Sequence, residues 1–237
     1  MPRMATRIEG PAFGVIAAAG RSERMGGIDK VFAPLMGRPL IVWTLAAFQH
    51  CGAIDGVVVV AAPRSALRVE RLCAEWHMTK VRAVVSGGKE RQDSVRAGIE
   101  AADGAAIVAV HDGARVLVTP ELIAAGVEMA RESGAALCAV PARDTVKDVE
   151  GDPPVVRGTI DRGRAWLAQT PQVFARDLLL EAHRRAEAAA TDDAALVEAM
   201  GHEVRVYEGA PSNLKVTTPE DLIIAEALLR ERLDSSR

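Results

Sequence analysis

Short, strongly apolar runs alternate with longer segments of helical periodicity, and this alternation restricts the fold more than any other feature of the chain. The predicted buried strands are residues 13–18, 57–61, 81–85, 106–111 and 135–140. The predicted crossover helices are residues 39–49, 65–76, 90–101 and 120–132. Strands that alternate with helices are typical of a parallel sheet. The sequence therefore predicts a Rossmann-like α/β fold, with a mainly parallel sheet flanked by helices.

The alternation stops after Pro141. Two short runs, residues 144–149 and 155–160, flank a turn-forming stretch and predict a projecting β-hairpin, which we call the arm (about residues 142–164). The remaining predicted elements are a segment at 166–174, helices at 176–190 and 192–200, strands at 204–207 and 213–217, and a last helix with Thr218 as its cap and Pro219 at its first position. A length of 237 residues with 49% hydrophobic residues fits a single domain that includes the arm.

Composition limits the partners and the compartment. The formal net charge of -3, from 29 basic and 32 acidic residues, gives no reason to expect nucleic acid or a membrane as a partner. Cys51, Cys73 and Cys138 lie far apart and outside any C-x-x-C spacing, so we expect core thiols in a reducing compartment rather than disulfides or zinc ligands. The N-terminal apolar run is too short for a signal peptide or a spanning helix. We therefore expect a cytoplasmic protein.

The turn after the first strand, residues 17–30, predicts a phosphate-binding loop. Ligands of open α/β sheets bind outside the carboxyl ends of the strands. Small residues there let backbone N–H groups approach a triphosphate, while Arg24 and Lys30 supply positive charge, although the loop lacks a Walker pattern. On composition alone, a flexible glycine-rich surface turn explains the same residues.

Four further residues are candidates for ligand binding. Ser94 lies in the first turn of a predicted helix, where its hydroxyl reads a pyrimidine edge or simply caps the helix. Asp112 ends a buried strand and faces a metal or a substrate hydroxyl, while Arg115 binds an anion; a plain Asp–Arg ion pair is the alternative. Lys215 falls inside a predicted strand, where an ammonium group meets an anion or lies on a solvated face.

The first loop resembles the A-A-G-x-x-x-R-M…K loop of sugar and polyol nucleotidyltransferases. Seven more segments occur in the order seen in methylerythritol phosphate cytidylyltransferases and together cover nearly the whole chain: residues 87–95, 111–115, 141–147, 159–162, 169–174, 191–193 and 213–217. The chain departs from the family at Lys89, where some relatives carry aspartate, and at Val116, where proline is usual. The chain is thus identified as resembling this family.

The resemblance implies a GT-A-like nucleotidyltransferase that transfers CMP from CTP to methylerythritol 4-phosphate. It implies catalytic roles for Arg24 and Lys30 at the α-phosphate and pyrophosphate, and for Arg162 and Lys215 in orienting the attacking phosphate. The implied CTP-binding residues are Ala18, Ala19, Gly20, Gly88 and Ser94. The implied polyol-binding residues are Asp112, Arg115, Thr145 and Thr191. It also implies Mg²⁺, held mainly by the CTP phosphates with Asp112 as a possible ligand, and a homodimer whose arm carries Thr145 and Arg162 to the partner's site.

Two other functions stay open at this point. Ribitol 5-phosphate cytidylyltransferases share the fold, the nucleotide loop and the cations, and the two polyol phosphates differ little. A nucleotide-binding module without catalysis is the second alternative, because fold does not fix function. A phosphate nucleophile is already anionic at neutral pH, so the predicted reaction needs no general base, and the histidines show no serine, cysteine or metal-ligand pattern. We expect no fused second domain after the final helix.

Overall fold

The computed structural model describes residues 7–20 and 30–235. Its strands are β1 (Ala12–Ala18), β2 (Pro34–Leu35), β3 (Arg38–Pro39), β4 (Gly56–Ala61), β5 (Val81–Ser86), β6 (Ile107–Asp112), β7 (Ala135–Pro141), β8 (Lys147–Glu150), β9 (Val155–Thr159), β10 (Trp166–Ala175) and β11 (Arg205–Glu208). In this described part, seven strands form one sheet in the order β11-β7-β10-β6-β1-β4-β5. β10 runs antiparallel to its neighbours, and the other pairs are parallel. The predicted mainly parallel sheet is confirmed.

Helices cover both faces of this sheet. They are α1 (Leu40–His50), α2 (Ala66–Glu75), α3 (Arg91–Ala101), α4 (Pro120–Ser133), α5 (Arg176–Arg185), α6 (Asp193–Ala199) and α7 (Pro219–Ser235). Successive residues of a strand point to opposite faces. Accordingly, Ile16 of β1 packs with apolar residues of α1, α2 and α4, whereas Val15 packs with those of α3, α5 and α6. Gly98 lets α3 approach β1 closely, because a Cβ there would overlap Val15.

The predicted boundaries agree with most observed elements within one or two residues. The helix predicted at 176–190 is an exception, because α5 ends at Arg185. The predicted cap of the last helix is confirmed: the Asp221 N–H donates to Thr218 Oγ1 at 3.3 Å. Cys51, Cys73 and Cys138 are free thiols, as expected. None of the helices within the described ranges combines the length and apolar character needed to cross a membrane.

The strand predicted at residues 213–217 is wrong. These residues form an irregular segment that crosses the loop after β6 instead of joining the sheet. Val216 is buried with Leu35, Leu117 and Leu229, and its N–H donates to the carbonyl oxygen of Ala114 at 2.9 Å. Burial of the apolar residue and isolated backbone hydrogen bonds therefore replace the regular ladder that the apolar pattern suggested.

The arm contains the predicted hairpin, in which β8 and β9 pair antiparallel as a separate two-stranded sheet. Its strands are shorter than the two predicted runs. The side chains of Val149, Val155 and Val156 are 53%, 52% and 57% exposed. The hairpin thus exposes apolar side chains on its surface.

Candidate active site at the carboxyl edge of the sheet

A cavity of about 720 Å³, here called the large cavity, opens at the carboxyl ends of β1, β4 and β6. Its lining brings together residues that are far apart in sequence. They include the predicted nucleotide and catalytic residues Ala18, Ala19, Gly20, Lys30, Gly88, Ser94 and Lys215, together with Asp112, which was predicted to bind the polyol. Lys30 reaches the cavity from a short 3-10 helix, Lys30–Phe32, whose Phe32 is buried. The fold therefore assembles most of the predicted nucleotide site in one place.

Two adjacent glycines allow the wall of the large cavity to close. A Cβ on Gly87 would overlap the side chains of Ala19 and Ser94, and a Cβ on Gly88 would overlap Asp93. Ser94 Oγ accepts from the Gly88 N–H and donates to the carbonyl oxygen of Glu90, both at 3.1 Å. The Ser94 hydroxyl thus shapes this turn, in addition to the nucleotide contact that the resemblance predicts.

A second cavity of about 260 Å³, the small cavity, lies next to the large one. Its lining includes the predicted polyol-binding residues Asp112, Arg115 and Thr191, together with Lys215. Among the described residues, Arg91, Asp112 and Lys215 line both cavities, and we call these three the boundary residues. Any two ligands that occupy the two cavities would meet beside them.

The boundary is an ion cluster, not the isolated Asp–Arg pair considered from sequence. Asp112 Oδ2 lies 2.9 Å from Lys215 Nζ and 3.5 Å from Arg115 Nε, and its Oδ1 lies 3.8 Å from Arg91 Nε. Burial raises the pKa of Asp112, but Lys215, Arg91 and Arg115 outweigh this effect, and the pKa falls to about 2. The carboxylate is therefore ionised at neutral pH and holds the cations in place.

His111 fixes the turn that carries Asp112 and Arg115. Its Nε2 lies 3.1 Å from the carbonyl oxygen of Arg115, and its Nδ1 lies 3.0 Å from Thr170 Oγ1. Since a carbonyl oxygen only accepts, Nε2 carries the hydrogen and Nδ1 accepts from the threonine hydroxyl. Thr170 Oγ1 in turn accepts from the Asp112 N–H at 3.1 Å. Burial lowers the pKa of His111 to about 4, so the ring is neutral at pH 7.

The fold and this site agree with what a comparison of families finds. A model of the family described as IspD, 2-C-methyl-D-erythritol 4-phosphate cytidylyltransferase, matches residues 13–231. The chain belongs to this family. The resemblance noted from the sequence segments is thereby confirmed.

Individual IspD relatives support the same conclusion. A bifunctional IspD/IspF enzyme of Desulforudis audaxviator is 50% identical over 220 residues, which cover 91% of this chain and 56% of the relative. A 2-C-methyl-D-erythritol 4-phosphate cytidylyltransferase of Dehalococcoides mccartyi is 44% identical over 217 residues, covering 92% of this chain and 95% of the relative. The crystal structure of a 4-diphosphocytidyl-2C-methyl-D-erythritol synthase from Anaerococcus prevotii superposes with a TM-score of 0.83 at 28% identity, covering 93% and 96% of the two chains. The chain thus spans little more than half of the bifunctional relative and nearly all of the other two.

Arg24 lies outside the described residues. Two other predicted IspD-type site residues are not brought to the cavities. Thr145 and Arg162 are exposed parts of the arm and are absent from the described lining of both cavities. Arg162 Nη1 instead donates to the carbonyl oxygen of Arg143 at 3.0 Å. A role for the two arm residues in a substrate site stays a prediction that requires a partner subunit.

The predictions from sequence assigned no site role to Arg91, Asp193 or Gln172. Arg91 Nη2 lies 2.8 Å from Asp193 Oδ2. Gln172 Oε1 accepts from the N–H groups of Asp193 and Ala194 at 3.1 and 3.0 Å, and its Nε2 donates to Asp192 Oδ2 at 2.9 Å. Two of them had a signal in the sequence: Arg91 is a charged residue shortly after the paired glycines 87–88, and Gln172 is a glutamine inside an apolar strand. Both residues lie in segments that carried the family resemblance.

The described residues offer limited protein ligands for a metal. No group of three or more His, Cys, Asp or Glu side chains in residues 7–20 and 30–235 is arranged to hold one. Asp112 is a carboxylate on the boundary of both cavities, and its Oδ1 is 3.8 Å from the nearest paired cation, beyond hydrogen-bond distance. Mg²⁺ commonly uses one or two carboxylates together with substrate phosphates and water. This donor set therefore fits a magnesium ion carried mainly by a nucleotide.

Proposed function

We propose that this protein transfers CMP from CTP to 2-C-methyl-D-erythritol 4-phosphate, giving 4-diphosphocytidyl-2-C-methyl-D-erythritol and pyrophosphate in the non-mevalonate isoprenoid precursor pathway. Family membership gives the reaction. The structural observation that carries the proposal is the pair of cavities that meet at Arg91, Asp112 and Lys215. A reaction between two phosphorylated substrates requires such a shared, cation-lined boundary.

In the proposed step, an oxygen of the polyol phosphate attacks the α-phosphorus of CTP. A new P–O bond forms there as the bond from the α-phosphorus to the α,β-bridging oxygen breaks, and that oxygen leaves with pyrophosphate. The attacking phosphate is largely a dianion at neutral pH because its second pKa is about 6, so no general base is needed. The neutral, buried His111 is consistent with this, since both its ring nitrogens are engaged within the protein.

The protein's task is electrostatic. Two anionic substrates must approach each other while charge builds up on the transferred phosphate and the leaving group. We assign Arg24 and Lys30 to the α-phosphate and pyrophosphate, and Lys215 and Arg162 to the attacking phosphate. The position of Lys30 in the large cavity and of Lys215 on the boundary supports two of these four assignments.

The remaining binding assignments follow the two cavities. Ala18, Ala19, Gly20, Gly88 and Ser94 would bind CTP in the large cavity, and Asp112, Arg115 and Thr191 would bind the polyol phosphate in the small one. Arg115 is already oriented, because its Nη1 donates to the carbonyl oxygen of Asn213 at 2.8 Å. Mg²⁺, held by the CTP phosphates with Asp112 as a protein ligand, would neutralise charge on the triphosphate and the leaving pyrophosphate.

A homodimer and a cytoplasmic location complete the proposal. The exposed valines of the arm offer an apolar surface for a second copy of the chain, and such a contact would carry Thr145 and Arg162 of one subunit to the site of the other. Free, widely separated thiols at Cys51, Cys73 and Cys138 fit a reducing compartment.

Pyrophosphate release tests the function. CTP and Mg²⁺ are incubated with methylerythritol 4-phosphate or ribitol 5-phosphate, and ATP and UTP replace CTP as controls. We expect release with CTP and methylerythritol 4-phosphate, in accord with the names of the relatives. Preference for ribitol 5-phosphate would identify that polyol phosphate as the substrate instead. Absence of pyrophosphate release with every pair would favour a nucleotide-binding module without catalysis.

A further inference from the structure

Arg91 occupies a position that the mechanism above does not use. Of the residues that the structure describes, it is the third that lines both cavities, beside Asp112 and Lys215. It is the first residue of α3, and its side chain is 34% exposed, so the guanidinium keeps a surface that a ligand can contact. The orientation of a guanidinium at the meeting point of two phosphorylated substrates calls for a physical explanation.

Arg91 forms an ion pair with a buried carboxylate. Arg91 Nη2 lies 2.8 Å from Oδ2 of Asp193, whose side chain is 1% exposed. The other oxygen, Oδ1, lies 3.0 Å from Nε2 of His183, which is fully buried. Because an ionised carboxylate only accepts hydrogen bonds, His183 carries a hydrogen on Nε2 and donates it to Asp193.

The backbone around Asp193 is also held. Its N–H and that of Ala194 both donate to Gln172 Oε1, which ties the first turn of α6 to β10 of the central sheet. Asp193 is therefore fixed through its main chain by β10 and through its side chain by α5, which carries His183. A rigid acceptor of this kind orients an arginine more strictly than a surface carboxylate does.

We propose that Arg91 binds the attacking phosphate of the polyol substrate at the boundary, and that the buried Asp193–His183 pair positions its guanidinium. The planar guanidinium matches a phosphate group and forms strong, directional hydrogen bonds with it. This inference rests on the proposed cytidylyltransferase function and adds a substrate-binding residue and its positioning pair to it.

The first test compares Arg91→Gln and Arg91→Lys with wild type in the pyrophosphate assay. Loss of a charged hydrogen bond to the substrate predicts a rise of roughly tenfold or more in the KM for methylerythritol 4-phosphate and a smaller change for CTP. Arg91→Lys keeps the charge but loses the planar fork, so it should fall between wild type and Arg91→Gln. Arg96→Gln is the matched control, because Arg96 is an exposed residue of the same helix.

The second test separates substrate binding from structural support. Arg91→Gln leaves Asp193 as a buried, uncompensated charge and should lower the melting temperature. The double variant Arg91→Gln/Asp193→Asn removes both charges and should recover much of that stability. If Arg91 contacts the substrate, the KM for methylerythritol 4-phosphate stays raised in the double variant; recovery of KM together with stability would show that Arg91 only neutralises Asp193.

Failure of this inference can be told apart from failure of the proposed function. A wild-type protein that releases no pyrophosphate contradicts the proposed function. An active wild type whose KM values are unchanged in Arg91→Gln overturns the Arg91 inference alone. Calorimetric titration of wild type and Arg91→Gln with methylerythritol 4-phosphate tests the contact without turnover, and equal affinities would also overturn it.

Discussion

The boundary between the two cavities and the arm both carry predicted substrate-binding residues, yet their side chains are held very differently. At the boundary, Asp112 is 8% exposed, His111 is fully buried, and each has several polar partners within the chain. In the arm, Val156 is 57% exposed and Thr145 lies on the surface. One chain is therefore sufficient to organise the boundary, whereas the substrate role proposed for the arm residues requires a second surface.

The largest effect is expected from substitution of a residue that lines the large cavity. Lys30→Ala should lower kcat by about a hundredfold or more, because it removes one preorganised charge from the transferred phosphate. Pyrophosphate release at saturating substrates measures the change. Lys80→Ala is the control, since Lys80 directly precedes β5 and therefore lies at the amino ends of the strands, opposite the cavities. Its Nζ donates to the carbonyl oxygen of Cys51 at 2.7 Å. Wild-type turnover in Lys30→Ala would remove Lys30 from the catalytic site.

The buried hydrogen-bond network at the boundary should make folding sensitive to acid. The pKa of His111 is about 4 in the folded protein but about 6.5 in an unfolded chain. Between these values the unfolded chain binds the proton more readily, so the free energy of unfolding falls as pH decreases from 6.5 to 4. The contribution of His111 to this loss is about 3 kcal/mol.

Urea unfolding at pH 7, 6, 5 and 4 checks this prediction in wild type and His111→Gln. The variant should lose less stability than wild type across the same window, because it lacks the titrating ring. His202→Gln removes an exposed histidine and serves as the control. Parallel curves for wild type and His111→Gln would contradict the assigned burial effect.

A substitution in the arm should have a smaller and more selective effect on substrate binding. Arg162→Ala should raise the KM for methylerythritol 4-phosphate by roughly tenfold, the equivalent of one charged hydrogen bond, and affect CTP less. Mixing subunits sharpens the test. A Lys215→Ala subunit paired with an Arg162→Ala subunit keeps one intact site only if the arm of one subunit serves the other. Activity should therefore rise on mixing, and no rise would place Arg162 at the site of its own subunit or at none.

The smallest effect on folding should come from the arm surface itself. Val156→Ser exchanges an exposed apolar group and should change the free energy of unfolding of the isolated subunit by about 0.5 kcal/mol or less. The same change should weaken self-association, which sedimentation at several protein concentrations measures. A large loss of subunit stability with unchanged association would mean that the arm is an internal structural element, not a contact surface.

The sequence predicted the fold well because its evidence is local and periodic. Buried parallel strands such as β4 and β6 are continuous apolar runs, and helices such as α4 carry a clear cap and a regular apolar face. The segment at 213–217 was predicted wrongly because an apolar Val216 beside polar residues has the same pattern whether it pairs in a sheet or packs on a loop. Local patterns do not distinguish these two environments.

The sequence by itself determined the succession of strands and helices along the chain, the glycine-rich turns at the strand ends and the family to which the chain belongs. Only the tertiary structure decided that Lys215 pairs with Asp112, that His111 links Arg115 to Thr170, and that Arg91 pairs with Asp193. The physical reason is that apolar periodicity and turn chemistry act over a few residues. A polar contact depends instead on which distant segments the packed core brings within hydrogen-bond distance, and burial then decides the charge state of the groups that meet there.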